Sequence, residues 1–142
     1  CALAPALTAT VAELANVTPV TRECVAEAGM TERVTVLETD LVAGSPPGVY
    51  DAVIMRALLQ VMSAADAAAT VRHGVAALAP GGRLFVVGRT LDDSRLSPLD
   101  AVAANVMFLN IYDDGQAYTE SEYRGWLADA GLVDIERHEL AG

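Results

Sequence analysis

Three apolar, strand-like runs of this sequence end on, or just before, a residue able to do chemistry. Residues 8–14 carry Glu13 near their end, residues 33–38 are followed by Asp40, and residues 50–55 lead into the Met55–Gln60 segment. In open parallel α/β sheets ligands bind beyond the carboxyl ends of the strands, so these positions are the first to consider. An acid at such an end can accept hydrogen bonds from both ribose hydroxyls of a nucleoside cofactor. Glu13 suits that role. Asp40, one strand later, can accept from an adenine amino group, with Leu41 covering the ring. One loop carboxylate is more often merely solvated; two acids on successive strands favour a nucleoside site. A nicotinamide-dependent dehydrogenase could use Glu13 in the same way, but it has no need of an adenine-reading acid one strand later.

The remaining reactive residue types form no second constellation. Cys1 and Cys24 lack the spacing of a zinc site, and Cys24 falls on an apolar helix face, where it reads as a small core residue. No metal is expected, because Asp92-Asp93 and Asp113-Asp114 are adjacent loop pairs of the kind that solvate turns. His73 and His138 lie in a helix and a strand away from the strand ends and read as structural or solvated.

The elements that must hold Glu13, Asp40 and Met55 follow from the pattern. A helix tail at residues 1–3 precedes the strand over 8–14. Thr18-Pro19 supplies a hydroxyl cap and an early proline for a helix whose Val20, Cys24, Val25 and Ala28 share a face before the stop at Gly29. The run over 50–55 is nearly continuous in apolar residues, as in a strand buried on both faces. Ser63 with Asp66 opens a helix through Val71, Val75 and Leu78. Pro80-Gly81-Gly82 then turns the chain into a strand over 83–88. A helix with Leu99, Val102, Val106 and Leu109 on one side ends at Asp113-Asp114-Gly115. Thr119 with Glu122 caps another, carrying Tyr123, Trp126 and Leu127 and stopped at Gly131. Residues 132–138 read as a last strand. Strands alternating with helices predict an α/β fold with a doubly wound, mostly parallel sheet.

Composition sets the outer bounds. At 142 residues the chain fits one domain, and 53% apolar residues can fill its core. The formal net charge of −10, from nineteen acids against nine arginines, opposes binding to phosphate backbones and anionic membranes. No apolar run is long enough to span a bilayer, and no signal peptide is legible. A cytoplasmic protein without nucleic-acid or membrane partners is expected.

Four stretches, in order, carry a resemblance to a known family. Thr10-Val11-Ala12-Glu13-Leu14-Ala15-Asn16-Val17 and Arg33-Val34-Thr35-Val36-Leu37-Glu38-Thr39-Asp40-Leu41 are similar to the second and third motifs of small-molecule O-methyltransferases of the plant caffeate and bacterial polyketide-tailoring type. Leu78-Ala79-Pro80-Gly81-Gly82-Arg83-Leu84 resembles the turn before their fifth strand. The run from Tyr118 to Tyr123, with the Ala-Gly-Leu stop at Gly131, resembles their late helix. The resemblance implies a class I, Rossmann-like methyltransferase domain across residues 1–142, using S-adenosyl-L-methionine. Glu13 would bind its ribose, Asp40 and Leu41 its adenine, and Met55 and Arg56 would pass beside its methionine part. Met107, Phe108 and Asn110 would face a small acceptor, aromatic or polyketide-like, methylated on oxygen rather than nitrogen or carbon.

The same resemblance implies that the domain lacks its first and last strands. The family's glycine-rich loop would precede Cys1, and the first strand would lie between those ending at Glu13 and Met55. The family's helical dimerisation domain would come earlier still, making the whole protein a homodimer. Three departures bear on chemistry: the family's catalytic histidine falls on Leu59, followed by Gln60 and Val61, an acid after the fifth strand falls on Gly88, and a further polar position falls near Ala117. The alternative to methyl transfer is therefore a protein that keeps the fold and cofactor but is non-catalytic or recruited to another reaction.

Overall fold

The computed structural model describes residues 4–139, so the helix tail expected at residues 1–3 lies outside them. In chain order the elements are β1 (Ala9–Glu13), α1 (Thr18–Glu27), β2 (Val34–Glu38), β3 (Tyr50–Arg56), a single 3-10 turn (Leu59–Val61), α2 (Ala64–Ala76), β4 (Leu78–Val87), α3 (Leu99–Ile111) and α4 (Glu120–Asp129). The α/β class and the parallel pairing agree with expectation. β1 runs parallel to β2 from Ala9 opposite Val34 to Glu13 opposite Glu38. β3 runs parallel to β4, with Ala52 opposite Arg83 and Arg56 opposite Val87. The two pairs are separate ladders, not one continuous sheet, and no described strand joins them.

Several local expectations are corrected. Residues 132–138 form no strand: Asp134 sits at φ 55°, which interrupts an extended run, and no neighbouring ladder takes up its backbone. The Ile135 carbonyl instead accepts from Arg124 Nη1 at 2.8 Å. Leu78 does not extend α2 but begins β4, pairing with Tyr50 before Ala79–Gly82 loops out and pairing resumes at Arg83. Gly82 is needed in that loop because a Cβ there would lie 2.9 Å from the Ala79 carbonyl oxygen. Thr18 is not the cap of α1. Val17 holds that position, and the Thr18 hydroxyl donates to the Leu14 carbonyl at 2.9 Å. Cys24 is exposed rather than core, as is Val20 on the same face.

The register of α3 differs as well. Ala101, Ala104 and Phe108 are its buried residues, packed with Leu91 and Ala117, whereas Leu99, Val106 and Leu109 face outward. This helix is apolar around most of its circumference, so periodicity cannot choose the buried side; packing against Leu91 and Ala117 does. The other helix starts match. Ser63 accepts from the Asp66 amide to open α2, and Thr119 and Glu122 complete a reciprocal capping box on α4.

The main core gathers Met55, Leu59, Ala67, Val71, Tyr118 and Tyr123. Tyr118, Tyr123 and Trp126 meet edge to face, with Tyr118 and Trp126 ring centroids 4.7 Å apart. The buried Tyr118 hydroxyl donates to the Met62 carbonyl at 2.6 Å, which ties the segment before α4 to the segment before α2. Burial pushes the Tyr118 phenol up in pKa. Tyr118→Phe should therefore cost about 1–2 kcal/mol, read as a lower urea midpoint with an unchanged slope.

The loop from Asp92 to Ser97 is held by one carboxylate. Asp92 accepts from the hydroxyls of Ser97 and Ser94 and from the amides of Ser97 and Leu96. Those bonds lower its pKa from 3.8 to about 2. Since the folded value lies below the unfolded one, this stabilisation is complete above pH 3.8 and is lost as pH falls toward about 2. Asp92→Asn should flatten the dependence of the denaturation midpoint on pH across that window, leaving the midpoint's behaviour above it unaltered.

Candidate nucleoside and acceptor site

The parallel register of β1 and β2 decides where the two candidate acids lie. Glu13 and Glu38 are partners at the same carboxyl end. The chain then bonds back across that end, the Thr39 amide donating to the Glu13 carbonyl at 2.9 Å. Asp40, the next residue, therefore starts its loop beside the end of β1. Glu13 is half-buried and Asp40 exposed. One Asp40 oxygen, Oδ1, accepts from the Val42 amide at 2.9 Å, while its backbone carbonyl accepts from Ala43 and Gly44. The loop is thus shaped by Asp40, whose Oδ2 has no hydrogen-bond partner among the described residues. Leu41 is half-buried, and its carbonyl lies 2.8 Å from His73 Nδ1 on α2. This acceptor set fits the donors of a nucleoside: two carboxylates that only accept lie at one sheet end, and ribose hydroxyls and an exocyclic amine donate.

At the end of β3 the structure separates residues that are adjacent in sequence. Met55 is 1% exposed and belongs to the main core, so it can offer a ligand its backbone but not its side chain. Arg56 is exposed. Ala57 follows at φ 51°, a left-handed conformation unusual for a residue with a Cβ, its amide held by the Val87 carbonyl at 2.8 Å. That bend ends the strand and sends the chain into the 3-10 turn.

Leu59, on which the family's histidine was expected to fall, is 1% exposed and packs in the core. Gln60 is 8% exposed, and its amide has no hydrogen-bond partner among the described residues. Its Oε1 lies toward Gly88, 3.5 Å from where a Cβ on that glycine would stand. Gln60 and Gly88 thus adjoin at the carboxyl ends of β3 and β4, and neither can titrate. The Gln60 side chain is mostly covered while its amide atoms still reach solvent, a tertiary property that no local pattern announces.

The acceptor candidates on α3 are not brought together as a lining. Phe108 packs into the second core cluster, Met107 is about half exposed, and the Asn110 amide donates to the Val106 carbonyl within its own helix at 2.6 Å. Ala117 is fully buried, its amide donating to Asn105 Oδ1 at 2.7 Å. Among the described residues no group of three or more His, Cys, Asp or Glu is placed to hold a metal. Nor is any described helix long and apolar enough to cross a membrane.

The fold recurs among known proteins. The chain is 30% identical over 141 residues to the 3-hydroxy-5-methyl-1-naphthoate 3-O-methyltransferase of Streptomyces sahachiroi, covering 99% of the chain and 41% of that relative. It is 41% identical over 132 residues to the aclacinomycin 10-hydroxylase RdmB of Streptomyces purpurascens, covering 92% of the chain and 34% of that protein. The crystal structure of the S-adenosylmethionine-dependent methyltransferase SibL in its apo form superimposes with a TM-score of 0.87 at 31% identity, over 97% of the chain and 41% of SibL. The chain therefore spans less than half the length of these relatives. The O-methyltransferase domain family matches residues 1–133, and the chain belongs to that family.

Proposed function

We propose that the protein carrying this domain binds S-adenosyl-L-methionine and transfers its methyl group to an oxygen of a small aromatic or polyketide-like acceptor. The observation that carries the proposal is the convergence of Glu13 and Asp40 at one sheet end, fixed by the β1–β2 register and by the Thr39 amide on the Glu13 carbonyl. Glu13 would hold the ribose, Asp40 and Leu41 the adenine, and the backbone at Met55 and Arg56 would border the methionine part. The cofactor, when bound, supplies an electrophilic methyl group. The protein's share is to hold the acceptor oxygen in line with it, which can account for a large part of the rate enhancement. With Leu59 in the core and Gln60 beside Gly88, these three residues offer no group to take the acceptor's proton.

The homologous naphthoate enzyme favours a fused aromatic acceptor. The exposed apolar residues of α3, Leu99, Val106, Leu109 and Ile111, form a surface suited to a further domain or subunit, in keeping with a homodimer. A cytoplasmic location belongs to the same proposal. A second possibility has its own support: the relative at 41% identity is named a hydroxylase, and the non-titrating Leu59–Gln60 pair suits a fold recruited to another reaction.

In the full-length protein, Glu13→Ala and Asp40→Ala should each weaken S-adenosylmethionine binding by about 1–3 kcal/mol, measured by titration calorimetry. Unchanged affinity in both variants would remove the nucleoside site.

Installing a base should depend on which of two adjacent positions is used. Leu59→His puts a polar ring into the main core and should cost about 2–4 kcal/mol of stability without gain in rate. Gln60→His should fold and raise the rate most on weakly acidic hydroxyls, since a positioned base is worth ~10²–10⁴-fold. Initial rates on acceptors of graded acidity decide it. A wild-type enzyme that already methylates weakly acidic alcohols, with no gain from Gln60→His, would show that a base lies elsewhere.

A further inference from the structure

We infer that His73 is a positioning residue for the cofactor's adenine: from the last turn of α2 it holds the loop that carries Asp40 and Leu41. This rests on the nucleoside site proposed above and adds to it a residue on a different element. His73 Nδ1 lies 2.8 Å from the Leu41 carbonyl oxygen. A carbonyl only accepts, so Nδ1 carries the hydrogen in this contact. The contact spans 32 positions in sequence and joins the β1–β2 half to the β3–β4 half, which share no strand ladder.

Two further observations make the contact more than an incidental surface bond. The next residue, Gly74, is buried against the side chains of Met55, Leu84 and Val53, which seats this turn of α2 on the main core. The loop is also ordered from within, Asp40 Oδ1 taking the Val42 amide and the Asp40 carbonyl taking those of Ala43 and Gly44. Asp40 therefore shapes the loop, and His73 anchors it to α2. Releasing the anchor leaves the loop's internal hydrogen bonds intact but frees the loop, with Asp40 on it, to move relative to the rest of the nucleoside site. The cost appears as weaker binding of anything that contains adenosine.

The experiment is calorimetric titration of the full-length protein with S-adenosylhomocysteine and, separately, with adenosine. His73→Phe keeps a ring but no donor, and His73→Asn restores a short amide donor. His73→Phe should weaken both ligands by the same factor, about three- to tenfold for the loss of one hydrogen bond. His73→Asn should recover most of that loss, and kcat at saturating cofactor should match wild type in both. Thermal midpoints are measured alongside. A lowered midpoint with unchanged affinity makes His73 merely structural and overturns the inference, as does an asparagine variant no better than phenylalanine. If Asp40→Ala weakens adenosine but His73→Phe does not, only this inference fails. If wild type binds neither ligand, the nucleoside site itself fails and takes the inference with it.

Discussion

The packing of α2 over β3 and β4, with Gly74 set against the side chains of Met55, Val53 and Leu84, is the contact on which the rest of this domain depends. It seats Val71 and Ala67 against Met55 and Leu59, and it leaves a face of α2 for α4, whose Tyr123 and Trp126 close over Tyr118. The same approach turns His73 toward the loop after β2. One contact thus serves both the packing of the second half and its connection to the first.

The candidate site is built mostly from strand ends and backbone. The register of two parallel strands sets the positions of Glu13 and Asp40, and the left-handed Ala57 breaks β3 where a ligand would pass. Leu59, Gln60 and Gly88, at the carboxyl ends of β3 and β4, carry no group that can titrate. Chemistry at such a place has to come from holding reactants in line and from the acceptor's own acidity, which suits methyl transfer to an acidic hydroxyl and equally a related fold turned to a different reaction. Gln60, nearly buried but with its amide atoms still open to solvent, adjoins Gly88 at this end.

What the sequence determined by itself was local. Apolar runs bounded by turns located the four strands of the structure, and the capping pairs Ser63–Asp66 and Thr119–Glu122 fixed two helix starts, because a hydroxyl three residues before an acid satisfies amides within its own turn. The acids at Glu13 and Asp40 were legible because strand ends and loop carboxylates are both local features. What tertiary structure decided was everything that needs a distant partner. Residues 132–138 have the composition of a strand but no ladder to join, and Asp134 turns them aside. The apolar α3 had no preferred face until Leu91 and Ala117 supplied one. Leu59 and Gln60 are neighbours in sequence, yet one packs into the core and the other presents an unpaired amide at its edge. His73 reads in sequence as structural or solvated, and only folding brings the Leu41 carbonyl within 2.8 Å of its ring. Periodicity records what each residue prefers within a few turns of chain; which surface it meets depends on contacts between segments far apart, and those exist only in the folded state.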